Sequence, residues 1–324
     1  MAGPSLTVVP LEGGDVAALL ARIPAAAGVG QVLGPDAKSL LIARPANLRR
    51  WAATHLGAGK APRKGIRPPT DLSPITTAVA YATTTSPFAQ RLAFERLMAR
   101  HVPLERRRDL KPPVYLQLDP AARFPRLTVR PDAADRGHSF GPFRSRAAAL
   151  EAIAALHRLF PLRPCDYTFE PAPDLALGLG CLFAQVATCA APCLVRISEE
   201  EYRALARRAE TALGSAAQRP AELADSLPSW VGALASMRGL ILERGKEGLE
   251  LYPVVASAVV EEEMAIVPPE RLEEAVAAVS WSPPPRPRDD APWLLPWLHG
   301  KRTGLYVSVP AGEPAAETAA RLRG

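Results

Sequence analysis

An α+β fold is what this sequence predicts: a small antiparallel sheet with flanking helices, then a mixed, cysteine-containing module, then a helical region. Three observations predict it. Short β-rich runs alternate with helical stretches that begin at a capping residue and close at proline. The 35 prolines among 324 residues imply many short elements joined by stiff connectors. Hydrophobic residues make up 48% and charged residues 22%, the balance of an ordinary globular protein.

Residues 1–110 form the first expected domain. Val16–Ile23 reads as a helix capped by Asp15 and stopped by Pro24. Gly28–Leu33 and Ser39–Ala43 read as strands joined by the turn Gly34-Pro35-Asp36, and Pro45–Leu56 reads as a helix. A Gly-, Pro- and Lys-rich loop spans Gly57–Pro69, and a strand follows at Ile75–Ala82. Ser86 caps a helix reaching about Arg100, closed by Pro103.

Residues 111–197 form a second region. Val114–Leu118 and Arg126–Arg130 are expected strands, and Ser145 caps a helix ending at Phe160-Pro161. His157 is read as a residue on this helix's margin rather than a ligand. Residues 198–247 are expected to be helical, with one helix from Ser198 to Leu213 and another over Leu227–Glu243. In the remaining 248–324, Val254–Val267 looks strand-like, Pro269–Val279 helical, and Ser282–Pro296 a proline-rich linker.

The net charge of +6 is unevenly spread. Between Ala37 and Thr70 stand eight basic residues, Lys38, Arg44, Arg49, Arg50, Lys60, Arg63, Lys64 and Arg67, and no acidic one. From Ile197 to Ala275 acids outnumber bases by fifteen to eight. A basic front suits a polyanion, because Lys and Arg release counterions on neutralising phosphates; a solvated basic face is the plainer reading. No apolar run is long enough to cross a bilayer, and the first residues do not resemble a signal peptide, so the expected location is the cytoplasm.

The four cysteines, Cys165, Cys181, Cys189 and Cys193, fall within 29 residues, separated by fifteen, seven and three others. Disulfides are unexpected in a cytosolic chain. The spacing is not that of paired C-x2-C zinc fingers; four thiolates suit zinc or an iron–sulfur cluster, and buried free thiols fit the spacing equally well.

Four stretches carry a resemblance: Phe140-Gly-Pro-Phe143, Leu159-Phe-Pro-Leu-Arg-Pro-Cys165, the run from Cys181 ending Thr-Cys-Ala-Ala-Pro-Cys193, and Ile197-Ser-Glu-Glu-Glu-Tyr202. In this order and spacing they resemble the UvrC family of DNA-repair nuclease subunits. Weaker similarity runs from about residue 20 to about residue 245. The resemblance implies a GIY-YIG nuclease domain at the front. Gly28-Val29 matches the first half of that motif, and Leu40-Leu-Ile-Ala-Arg44-Pro-Ala-Asn-Leu-Arg-Arg50 matches the second half and the helix after it.

The family's reactive side chains do not carry over. Its two motif tyrosines fall on Gly30 and Leu41, its helix arginine on Trp51 beside Arg50, and its metal-holding glutamate on Phe94 beside Glu95. Arg44 keeps the character of the family's usual lysine. The resemblance therefore implies a pseudo-nuclease of nucleotide excision repair that binds DNA, or a repair partner such as UvrB, without cutting. Arg44, Arg49 and Arg50 are the expected DNA contacts. Two alternatives are an active single-incision endonuclease, as in shorter UvrC relatives, using Arg50 and Glu95, and a metal-stabilised interaction module. The resemblance also implies that Cys165, Cys181, Cys189 and Cys193 hold a 4Fe-4S cluster in preference to zinc, with magnesium needed only if nuclease activity survives. The family's UvrB-binding helical hairpin matches best at Val231–Ile241, where Arg238 is kept but Gly232 and Gly239 replace acids. The roughly eighty residues after position 245 leave no room for the family's second nuclease and helix-hairpin-helix module.

Overall fold

The computed structural model describes residues 4–59, 70–107, 109–133, 138–175, 181–284, 290–300 and 303–323. Four of the basic residues, Lys60, Arg63, Lys64 and Arg67, lie outside the described residues. The chain divides into two compact units: Met1–Asp109 with Glu243–Gly248, and Leu110–Leu242 with Leu249–Gly324. Among the described residues no helix is long and apolar enough to cross a membrane.

The first unit runs β1 (Thr7–Pro10), α1 (Val16–Arg22), β2 (Gly28–Leu33), β3 (Ser39–Ala43), α2 (Leu48–His55), β4 (Ala78–Thr83) and α3 (Pro87–His101). The strands pair antiparallel in the order β1-β4-β2-β3. The expected caps form: Asp15 accepts from the Ala18 N–H at 3.0 Å and Ser86 from the Ala89 N–H at 3.1 Å. Helix α2 starts later than expected because Asn47, not Pro45, is its cap, accepting from the Arg50 N–H. Val9, Leu19, Ile23, Leu48, Ala52, Leu56 and Val79 fill the core between β1, β4, α1 and α2. Helix α3 has a second cap: the Phe88 N–H donates to the buried Glu243 carboxylate at 2.6 Å, from 155 residues along the chain. An anion there satisfies an orphan donor and the positive end of the helix dipole.

The second unit begins with β5 (Val114–Leu118), β6 (Leu127–Arg130), β7 (Ser139–Phe143), α4 (Arg146–Leu159), the short α5 (Leu182–Gln185), α6 (Glu199–Gly214) and β8 (Gly232–Ala233). The sheet order is β6-β5-β7-β8. Strand β7 carries the Phe-Gly-Pro-Phe motif, whose Phe140 and Phe143 are buried against α4 and α6 residues in one core. Ser198 and Glu201 form a reciprocal capping box on α6. Tyr202, fully buried, donates from its hydroxyl to the Pro125 carbonyl at 2.9 Å and accepts from the Arg163 N–H at 2.8 Å. That one phenol ties α6 both to the chain entering β6 and to the chain leaving α4.

The unit continues with β9 (Arg238–Arg244), β10 (Leu249–Val255), β11 (Ala258–Val259), β12 (Ala265–Val267), α7 (Leu272–Ala277), α8 (Ala291–His299), β13 (Leu305–Ser308) and α9 (Ala315–Arg323). These strands form a sheet ordered β11-β10-β9-β13, with β12 also on β10. Leu240, Leu242, Leu251, Leu272, Val276, Val307, Ala319 and Leu322 lie in its core.

Four expectations are corrected here. The helix expected over Leu227–Glu243 does not form: its second half is strand β9. The segment's Gly-Leu-Ile-Leu run suits a pleated, half-buried surface, and Gly239 pairs with Ser308 where a Cβ would meet the Tyr306 ring at 2.6 Å. The single strand-like run Val254–Val267 is three strands, broken by left-handed Ala256 and Ser257 and by the turn at Glu261–Glu263. Part of the expected linker Ser282–Pro296 is helix α8, with Trp293, Leu294 and Leu295 buried; residues 285–289 of it lie outside the described residues. His157 is not marginal either. It is 6% exposed, burial lowers its pKa, and its Nε2 has no hydrogen-bond partner among the described residues, so it packs as a neutral ring.

Candidate functional site

In the first unit, β2 and β3 carry Gly30 and Leu41, two of the positions singled out in the sequence. Gly30 pairs with Ala43 and lies under the indole of Trp51 from α2: a Cβ on Gly30 would collide with Trp51 Cζ3 and lie 2.8 Å from Cη2. Leu41 pairs with Val32, two rungs along the same ladder. Two replaced positions thus fill each other's space, with Trp51 occupying the volume a side chain at position 30 would need.

Phe94, on α3, is faced by two cations. The guanidinium carbons of Arg44 and Arg107 each lie 5.9 Å from its ring centroid, a favourable cation–π distance. The neighbouring Glu95 is 3% exposed and engaged on both oxygens, with Arg91 at 2.7 Å and Arg107 at 2.9 Å. Arg107 also forks onto Asp109 at 2.8 and 3.0 Å. Its pKa is raised by the Asp109 hydrogen bonds and then by Glu95, and Asp109 is held below the usual carboxylate range by the same contact. This is a closed ionic cluster, with Glu95 committed to arginines.

The three expected DNA-contacting arginines separate. Arg49 donates from Nε to the Ile23 carbonyl at 2.7 Å, a bond that ties α2 to the end of α1. Arg44 and Arg50 are exposed, Arg44 at the end of β3 and Arg50 in the first turn of α2. Arg49 is exposed as well, but it is held through its Nε, while Arg44 also sits over the Phe94 ring. Sequence reasoning missed Arg91, Arg107 and Asp109; the only signal was the density of arginine around Glu95, which cannot show burial.

In the second unit, local backbone bonds gather the cysteine segment. The Ala190 N–H donates to the Pro161 carbonyl at 2.7 Å and the Ala172 N–H to the Cys193 carbonyl at 3.0 Å, closing the chain on either side of Cys165. Cys181 precedes α5, and the Cys189 N–H returns to the Phe183 carbonyl at 3.1 Å. Ala187, Ala191 and Val195 all adopt left-handed φ, between 53° and 57°. Such strain costs about 1–3 kcal/mol per residue and collects at ligand clamps; here it bends the chain around Cys189 and Cys193.

Cys165, Cys181 and Cys193 line one cavity of about 700 Å³, with Tyr167, Phe169 and Phe183 in its walls. Cys189 is buried beside it, its thiol pushed up to about 11, first by burial and further by the other three cysteines. Among the described residues no three His, Cys, Asp or Glu side chains approach closely enough to hold a single metal ion. Tyr167, Leu182 and Val186 are exposed at 57–69%, an unusual amount of apolar surface for so short a segment.

Comparison with known proteins places this geometry. Residues 113–212 match the family of the UvrC/Cho excinuclease middle domain. The UvrABC system protein C of Geobacter metallireducens is 34% identical over 194 residues, covering 59% of this chain and 30% of that protein. The same-named protein of Geobacter sp. (strain M21) is 30% identical over 195 residues, covering 59% of this chain and 29% of that protein, and that of Shewanella loihica is 38% identical over 96 residues, covering 29% and 15%. The matched stretch therefore spans about 30% of the length of the first of these relatives. No solved structure matches the chain. The chain is thus similar to the UvrC/Cho excinuclease middle domain over residues 113–212, and to UvrABC system protein C over 59% of its own length.

Proposed function

We propose that this chain is a nucleotide excision repair protein whose first unit is a GIY-YIG-like pseudo-nuclease, binding DNA without cutting it. The observation that carries the reading is Trp51 packed into the space above Gly30. Phosphodiester hydrolysis in such a site needs a base near the attacking water, a cation on the phosphate and a carboxylate for magnesium. Here the base position is filled by indole, the carboxylate position by Phe94, and the nearest carboxylate, Glu95, is bound to two arginines. The single-incision alternative would require that Glu95 leave its cluster. Exposed Arg44 and Arg50 remain as phosphate contacts. UvrB is the protein partner that kinship points to, with the acid-led helix α6 as the surface for it, since Arg238–Arg244 is strand rather than the second helix of a hairpin.

Incubation with damaged duplex in magnesium or manganese should give binding and no nicks. Arg44→Ala with Arg50→Ala should weaken binding and reduce the dependence of log K on log salt by about 1 for each phosphate no longer neutralised. Metal-dependent nicking abolished by Arg50→Ala would overturn the pseudo-nuclease reading.

We further infer that Cys165, Cys181, Cys189 and Cys193 hold an iron–sulfur cluster. Three thiols line one cavity and the fourth, Cys189, lies near enough to feel all of them; four thiolates are the donor set of such clusters. A single zinc ion, with Zn–S bonds of about 2.3 Å, needs sulfurs drawn close together; the wider gathering here favours a cluster. The four cysteines would ligate it, Tyr167, Phe169 and Phe183 would wall it from water, and its binding energy would organise a segment with little core of its own. Anaerobically purified protein should show a broad visible absorbance and about four irons per chain, and Cys189→Ser should lose both. Zinc alone, or no metal, would sink this inference.

A further inference from the structure

We propose that the second unit carries an anion-binding cavity, centred on Arg238, that accepts a phosphate group. The cavity has a volume of about 330 Å³ and lies where the turn after α6 meets the starts of β8 and β9 and the end of β13. Ser215, Ser229, Trp230, Ser236, Arg238 and Ser308 are among the residues that line it. Arg238 is the one charged side chain among the described residues of that lining, and no carboxylate is among them.

The position of Arg238 is unexplained by the fold. It is half-buried, its guanidinium carbon lies 5.8 Å from the Trp281 ring centroid, and among the described residues it has neither a hydrogen-bond acceptor nor an ion-pair partner. Taking a cation out of water without a partner costs free energy that one cation–π contact offsets only in part. Nearby Arg219 shows what a structural arginine looks like in the same unit. Its three nitrogens donate to the carbonyls of Ala212, Leu227, Pro228 and Val231 at 2.6–3.2 Å, closing the 212–231 turn, although burial brings its pKa down to about 10. Arg219 is saturated; Arg238 lines the cavity with no acceptor for its donors among the described residues.

The chemistry of the lining selects the ligand. A guanidinium presents a planar fork of donors suited to carboxylate or phosphate. Ser215, Ser229 and Ser308 line the cavity from three separate segments, and hydroxyls so spread suit a tetrahedral oxyanion with three free oxygens better than a planar carboxylate with two. The C-terminal end of α6 at Gly214 repels an anion, which leaves the Arg238 and Ser308 side for the phosphate. The volume exceeds that of phosphate alone, so the group can belong to a mononucleotide or to the end of a DNA strand. This site is separate from the first unit's arginines and does not depend on their reading.

The test titrates the full chain by calorimetry with inorganic phosphate, with deoxyadenosine 5′-monophosphate, and with a short single-stranded oligonucleotide carrying either a 5′-phosphate or a 5′-hydroxyl. Saturable binding of inorganic phosphate or of the mononucleotide, weakened at least tenfold by Arg238→Met, is expected. Preference for the 5′-phosphorylated over the 5′-hydroxyl strand would assign the site to DNA ends, and binding of the mononucleotide without that preference would assign it to small phosphates. The ligand-free Arg238→Met variant should melt no lower than the parent, because it removes a half-buried charge that only one cation–π contact offsets in part. Absence of binding by every probe, equal binding by Arg238→Met, or a ligand-free variant that melts several degrees lower would overturn the proposal.

Discussion

Replacing Glu95 by Ala is expected to lower the stability of the first unit by about 3–5 kcal/mol, the range for stripping one partner from a buried charge cluster. The carboxylate is 3% exposed and its partner Arg107 is 4% exposed at the side chain, so removal of the anion leaves a buried guanidinium held by Asp109 alone. Arg91 is more exposed, at 20%, and contributes less. Urea denaturation followed by circular dichroism measures the change, and a cost under about 0.5 kcal/mol, the ordinary surface value, would show that the cluster holds nothing together. The expected magnitude bears on chemistry as well. A carboxylate so engaged is a poor magnesium ligand, because coordination would have to break two ion pairs in a site that water hardly reaches.

Gly30→Tyr, which puts a tyrosine where the proposed GIY-YIG likeness would have one, should cost about 1–3 kcal/mol or more, as overpacking does. Its Cβ alone would overlap one indole carbon and fall 2.8 Å from another. Adding Trp51→Arg, which restores the second family residue and removes the indole, should recover part of that cost. The coupling between the two changes should be about 1–3 kcal/mol, the range for residues that touch. Denaturant midpoints of the two single variants and the double variant give the cycle. Zero coupling would mean that Trp51 does not occupy the motif's space. Even the double variant should leave DNA uncut, since Phe94 still stands in the carboxylate's place.

The elements legible in the sequence are those with local signals. Asp15, Ser86, Ser145 and Ser198 each precede a helix and each accepts a backbone N–H from its first turn. Strands Gly28–Leu33 and Ser39–Ala43 form over the expected residues. Where the deciding pairing is remote, local reading fails. The pattern of Arg238–Arg244 suggests a helix because no signal nearby says that β13, more than sixty residues on, will pair with it. Strands β1 and β7 escape a local reading because Pro10 and Pro142 interrupt their pattern. At the sites, residue types are legible and burial is not. Arg49 and Arg50 are indistinguishable in sequence, yet one is held by the Ile23 carbonyl and the other faces solvent. The cysteines can be located in the sequence, but that three of them open on one cavity depends on the left-handed bends at Ala187, Ala191 and Val195, residues with no preference for such geometry.

The Glu243 carboxylate on the Phe88 N–H has a consequence for how this protein is made. Synthesis from the N-terminus delivers the sheet and α3 long before it delivers the residue that caps α3, since 155 positions separate donor and acceptor. Until Glu243–Gly248 leaves the ribosome, the first unit is one segment short of its complete set of residues. The nascent domain therefore has only its Ser86 cap on α3 while the cysteine segment is being translated, and the second cap arrives only with the hairpin between β9 and β10. A gene fragment cut at the apparent boundary near residue 109 would keep that immature state permanently.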